Sequence, residues 1–144
     1  MGLSKNICVY SKDDKLLKYS LEEKIVANYE TKEVNTCLLV ACRYNNNIEI
    51  IEYLIKKCAA GVNYETNEGN NCLLIACRYN NSTNIIRYLI KECGMNINYT
   101  NNNEENCLTM ACMNNIELVK YLKEENFDIN YVNVEGNNCL TEFV

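Results

Sequence analysis

The sequence predicts an all-α solenoid of stacked helix-turn-helix units with projecting turns. Three observations carry that prediction. An Asn-Tyr pair recurs as Asn28-Tyr29, Asn63-Tyr64, Asn98-Tyr99 and Asn130-Tyr131, at spacings of 35, 35 and 32 residues. A Cys-Leu pair follows each Tyr in phase, as Cys37-Leu38, Cys72-Leu73, Cys107-Leu108 and Cys139-Leu140, and the first three lead on to Ala41-Cys42, Ala76-Cys77 and Ala111-Cys112. Between these landmarks the apolar residues fall at helical spacing. A fixed period of this size marks a repeat architecture, in which a unit cannot bury its own apolar face and its neighbours supply the core.

Within a unit, the first helix is expected to open at Thr36, Asn71 or Asn106, all residue types whose side-chain oxygen can cap a free first-turn amide. The run Cys72-Leu73-Leu74-Ile75-Ala76-Cys77 is apolar all round, so this short helix should be sandwiched between neighbours. A polar link such as Asn45-Asn46-Asn47 follows. The second helix is expected from about Ile48 to Lys57, with Ile48, Ile51, Leu54 and Ile55 on one face and Glu49, Glu52 and Lys56 on the other. Lys56, Lys57 and Lys91 stand near helix C-termini, where cations oppose the dipole. Gly61 and Gly94 are expected to let the chain leave the helix. Residues Asn63 to Asn71 then form a polar, projecting turn.

These residues resemble the ankyrin repeat. The family writes its first helix as Thr-Pro-Leu-His-x-Ala-Ala after a Gly-x, and here stands Gly69-Asn70-Asn71-Cys72-Leu73-Leu74-Ile75-Ala76-Cys77. The family's Glu-Ile-Val-Lys-Leu-Leu is matched by Glu49-Ile50-Ile51-Glu52-Tyr53-Leu54 and Glu117-Leu118-Val119-Lys120-Tyr121-Leu122. Its Gly-Ala-Asp-Val-Asn is similar to Gly61-Val62-Asn63. Departures exist: Cys replaces Pro, Leu or Thr replaces His, and the tip Gly survives only as Gly69 and Gly136. Val34 and Glu104 hold the other two tips, so a positive-φ turn of the same kind is not expected there. The Asn-rich, Pro-free style looks like ankyrin proteins of giant amoeba-infecting DNA viruses and of amoebae.

The array divides into a degenerate N-terminal capping repeat over 1–29, repeats over 30–64 and 65–99, a short repeat over 100–131 and a partial C-terminal unit over 132–144. Lys12, Asp13, Asp14, Lys15 and Lys18 give the first of these a wetter face, as a terminal repeat requires. Either Val144 ends a natural cap or the chain was cut from a longer array.

Composition narrows the chemistry. The chain has 144 residues, 10 Cys, no His, no Pro and a net charge of −5. Without His it lacks the usual general base and the commonest metal ligand. The acidic balance disfavours nucleic acid and anionic membranes as partners. No apolar run is long enough for a signal peptide or a membrane span. An N-terminal acylation signal is incomplete, with Asn6 where Ser or Thr is wanted. A reducing, intracellular, cytoplasmic location follows, with the cysteines as small buried hydrophobes. The pairs Cys37/Cys42, Cys72/Cys77 and Cys107/Cys112 are five residues apart, a spacing that points around a helix rather than at a shared metal. Cys58 and Cys93, at outer-helix ends, are expected to be more exposed. No metal or cofactor is expected, and no enzyme activity. The in-phase Tyr29, Tyr64, Tyr99 and Tyr131 are read as stacking adjacent turns. Tyr19, Tyr53, Tyr88 and Tyr121 are read as half-buried between repeats, with hydroxyls in water.

The resemblance implies a protein-binding module whose ligand lies along the turn tips and the exposed, concave face of the first helices. Carried over residue by residue, the first helices contribute Arg43, Tyr44, Arg78, Tyr79, Met113 and Asn114. The tips contribute Lys32, Glu33 and Asn35; Asn67, Glu68 and Asn70; Asn102, Asn103 and Glu105; and Val134, Glu135 and Asn137. Arg and Tyr are residue types that dominate binding hot spots. The expected partner is a protein, a host protein if the viral resemblance holds, and the expected state is a monomer. The alternative is an adaptor arm or structural fragment of a larger assembly.

Overall fold

The computed structural model describes residues 31–114, 116–125, 131–132 and 135–136. The readings of residues 1–29 and of Val134, Asn137 and Val144 lie outside the described residues. Six helices follow one another there: α1 (Thr31–Tyr44), α2 (Ile48–Lys56), α3 (Cys72–Tyr79), α4 (Thr83–Lys91), α5 (Cys107–Cys112) and α6 (Ile116–Glu124). The described residues contain no strand. The helices pair as α1/α2, α3/α4 and α5/α6, and α1, α3 and α5 pack in a row. The outer helices α2, α4 and α6 form a second, looser row behind them.

Asparagine side chains cap the starts of α2, α3 and α5. Asn71 Oδ1 accepts the Leu74 amide at 3.0 Å and opens α3. At α5 the cap is reciprocal: Asn106 Oδ1 accepts the Thr109 amide at 3.0 Å, and Thr109 Oγ1 accepts the Asn106 amide at 2.8 Å. Asn47 caps α2 by accepting the Glu49 amide at 2.9 Å. The inner helix α3 buries Cys72, Leu73, Leu74, Ala76 and Cys77, as its all-round apolar sequence requires. The outer helices bury one face only, with Ile50, Ile51 and Leu54 on α2, and Ile85, Ile86 and Leu89 on α4.

Several expectations change. The first inner helix does not open at Thr36; it runs unbroken from Thr31. Lys32, Glu33 and Asn35 therefore lie in a helix and not on a projecting tip. The physical reason is local: β-branched Val34 stands where a tip needs a positive φ, and resists it. Asn35 is buried, and its Oδ1 accepts the Gly61 amide at 2.5 Å. Gly61 accordingly has no positive φ; the exit from α2 is made by Ala59 at φ 56°, the counterpart of Gly94 at φ 65°. Glu104 does take a positive φ, 58°, matching Gly69 at 82° and Gly136 at 80°. The tip geometry is thus kept where the glycine is not.

Tyr88 and Tyr121 are buried rather than half-buried. Burial pushes the Tyr88 phenol up, and the nearby Cys93 pushes the same way. The Tyr121 hydroxyl is buried with no hydrogen-bond partner. Among the described residues, seven cysteines stand outside any disulfide. Cys112 is disulfide-bonded, a departure from the all-thiol interior expected. Thiol contacts run between units and not along a helix. The hydrogen bond with Cys72, then burial, holds the Cys42 thiol well above its ordinary range. Burial, then the hydrogen bond with Cys107, does the same for Cys77.

Candidate partner-binding face

The C-terminal ends of α1 and α3 present Arg43-Tyr44 and Arg78-Tyr79, one helical unit apart. Packing α1 against α3 brings the two pairs together. The Arg43 guanidinium sits 3.9 Å from the centre of the Tyr79 ring and 5.1 Å from that of Tyr44. Arg78 lies 5.1 Å from the same Tyr79 ring. Each arginine is within cation–π range, an attraction of about 0.5–1 kcal/mol at an exposed site. The order across the surface is Tyr44, Arg43, Tyr79, Arg78. Arg78 Nη1 extends it by donating to the Met113 carbonyl at 3.3 Å.

The rings remain open to solvent. Tyr44 is 54% exposed and Tyr79 is 45% exposed, unusual values for large apolar groups within a stack whose other aromatics are mostly covered. The arginines stack against the rings, and neither arginine meets a carboxylate among the described residues.

Asn114 has a different placement from its sequence neighbour Met113. Its Nδ2 donates to the Cys77 carbonyl at 3.0 Å and the Asn80 carbonyl at 2.7 Å. This is the job of Asn80 one unit earlier, which donates to the carbonyls of Cys42 and Asn45, both at 2.9 Å. Asn114 therefore corresponds to Asn80 and not to Tyr79. The cause is the shorter α5, which stops at Cys112 and omits a residue before the link. The sequence reading missed this inter-unit staple. Its signal was present: Asn45 and Asn80 recur 35 residues apart, in phase with the period.

The tips stack on one another. The Asn102 amide donates to the Glu68 carbonyl at 3.0 Å, and Asn102 Nδ2 to the Asn67 carbonyl at 2.9 Å. Asn101, which the sequence reading passed over, is buried and organises its tip. Its Nδ2 donates to Asn70 Oδ1 at 2.8 Å and Glu105 Oε1 at 3.0 Å, while its Oδ1 accepts the amides of Asn103 and Glu105, both at 2.9 Å. The Tyr99 hydroxyl donates to the Gly69 carbonyl at 2.7 Å and also bonds Glu65. Tyr131 repeats the pattern on the Glu104 carbonyl. Both rings thus stack adjacent turns, as their phase in the sequence suggested. Asn70, Asn102 and Glu105 are committed to this lattice. Asn67, Glu68, Asn103 and Glu135 are exposed.

A separate surface hollow of about 690 Å³ lies between the ends of α2 and α4, walled by Ile55, Lys56, Val62, Tyr64, Tyr88 and Cys93. None of Arg43, Tyr44, Arg78 and Tyr79 lines it, and of the residues expected on the tips it takes only Asn35. Among the described residues no three His, Cys, Asp or Glu side chains gather as metal ligands would, and no helix is long and apolar enough to cross a membrane.

The family of ankyrin repeats (three copies) matches residues 6–101 and 81–142. A search of curated proteins finds no match.

Proposed function

The chain belongs to the ankyrin-repeat family, whose repeats are generally non-catalytic protein–protein interaction modules, and on that premise we propose that it binds a protein partner along its first-helix face and turn tips. The observation that carries the reading is the exposed ladder of Tyr44, Arg43, Tyr79 and Arg78, locked by cation–π contacts. Such a preformed face loses little conformational entropy when a partner docks. Met113 continues the floor. Asn67, Glu68 and Asn103 give a polar, acidic rim suited to basic segments of the same partner. Asn114, Asn70, Asn102 and Glu105 support the face through hydrogen bonds between and within units. The protein acts as a monomer, without nucleic acid, and its partner is a host protein if its origin is viral.

Affinity capture from source-cell lysate tests the reading, with the wild-type chain and a variant carrying Arg43→Ala, Tyr44→Ala, Arg78→Ala and Tyr79→Ala as parallel baits. Circular dichroism establishes that both are folded. A protein captured by the first and lost by the second supports the face. Equal capture by both contradicts it and moves the contact to the tips or the outer helices. No capture at all favours an adaptor arm of a larger assembly.

A further inference from the structure

The arginines say more about the partner than that it is a protein. Arg43 and Arg78 flank one Tyr79 ring at 3.9 and 5.1 Å, so their guanidinium carbons stand no more than about 9 Å apart. Every recorded neighbour of these two groups is an aromatic ring or the Met113 carbonyl. The ion pairs of the described residues use lysines on the outer helices instead, Lys91 with Glu125 and Lys120 with Glu117. Among the described residues of a chain of net charge −5, these two guanidinium forks, each with donors to spare, thus stand on the face without a carboxylate partner. Planar forks of this kind match carboxylates two bonds at a time.

We infer that this face takes an extended acidic segment of the partner, with two carboxylates at alternate residues, one on each arginine; the inference rests on the reading of the face as the docking site. The spacing follows from backbone geometry. In an extended chain, residues i and i+2 project to the same side and lie about 6.8 Å apart, from a rise of about 3.4 Å per residue. Carboxylates so placed fall within reach of both guanidiniums. The residue between them points away, and the segment's backbone passes over the exposed rings of Tyr44 and Tyr79. A helical segment would instead need its acids three or four residues apart, a pattern that the selection below distinguishes from alternation. Recognition by paired charges at a partly exposed site also weakens as salt screens it.

The experiment is selection of random peptides displayed on phage, run against the wild-type chain and against the folded four-alanine variant. Sequences retained by the first and rejected by the second are face-dependent. The inference expects these to be enriched in Asp or Glu at alternate positions. A synthetic peptide of that pattern, labelled with a fluorophore, then binds with an affinity that falls tenfold or more on Arg43→Gln, and on replacing both acids by their amides. It also weakens when salt is raised from about 0.05 to about 0.5 M. Arg43→Gln is the informative variant, since Arg43 makes no hydrogen bond that holds the fold. A set of face-dependent peptides that is neutral or basic overturns the acidic inference while leaving the docking face standing. Absence of any face-dependent peptide overturns both. Acidic peptides that bind the four-alanine variant equally well also overturn both, because their carboxylates then meet other cations.

Discussion

Asn80 ties two units together with one amide group. Its Nδ2 reaches two carbonyls of the preceding unit, and its Oδ1 accepts the Ser82 amide at 2.8 Å. The side chain is buried, so truncation leaves carbonyl oxygens without a partner or a path to water. Asn80→Ala is expected to cost about 1–3 kcal/mol. In a chain of this size that is a fall in melting temperature of about 2–4 °C per kcal/mol, readable by thermal denaturation. Gly69 makes a second residue-scale case. It sits at φ 82°, and a Cβ there would stand 2.6 Å from Asn102 Oδ1. Gly69→Ala is expected to destabilise by about 1–3 kcal/mol through backbone strain and this clash. Adding Asn102→Gly should return part of the loss, because the clashing atom is gone. Full additivity of the two substitutions in a denaturation series would mean that the tips do not touch as described.

At the scale of the element, the tips and inner helices behave as interlocked pieces. Tyr99 carries one such lock, and its hydroxyl is pushed up to about 12, by burial first and then by Glu65. A pKa raised on folding means that the neutral phenol favours the folded state. This contribution is complete below the ordinary value near 10 and is lost as pH climbs to about 12. The melting temperature should therefore fall over that window more steeply in the wild type than in Tyr99→Phe, whose midpoint is lower at neutral pH but less pH-sensitive. The thiols give an independent check on the inner helices. Cys42 and Cys77 are fully covered, and their contacts with neighbouring thiols disfavour the reactive thiolate. Cys58 and Cys93 are only partly covered. Peptide mapping after brief alkylation should find Cys58 and Cys93 modified well before Cys42 and Cys77, with all four modified in denaturant. Early labelling of Cys42 would contradict the packing of α1 against α3.

On the scale of the whole molecule, the parts that repeat were the parts legible in the sequence. The period, the helix pairs and the caps Asn71 and Asn106 are written in residue types at fixed phase, so a single chain suffices to read them. The stacking of Tyr99 and Tyr131 was legible for the same reason. What was not legible lies where a unit breaks the pattern or where contact crosses units. Thr31 to Thr36 reads as a tip by alignment, yet β-branched Val34 stands at the position that takes the positive φ, and the helix runs through it. Asn114 aligns with Tyr79 by counting, yet the shortened α5 shifts it into the place of Asn80. Ala59 and Glu104 carry positive φ because neighbouring hydrogen bonds fix the turn whatever residue occupies it. The Arg43–Tyr79 contact joins residues 36 apart, and only the stacking distance between α1 and α3 decides that they meet.

The proposed function stands or falls with docking of a partner on the Arg-Tyr face. The most direct measurement is site-specific photocrosslinking in source-cell lysate, with a benzophenone amino acid in place of Tyr44 in one preparation and of Glu117 in another. Tyr44 lies on the proposed face, and Glu117 is an exposed position on the outer helix α6. Docking on this face gives a discrete protein adduct from position 44 that disappears when Arg43→Ala and Tyr79→Ala are added, and none from position 117. A discrete adduct from position 117, with none from position 44, would contradict it.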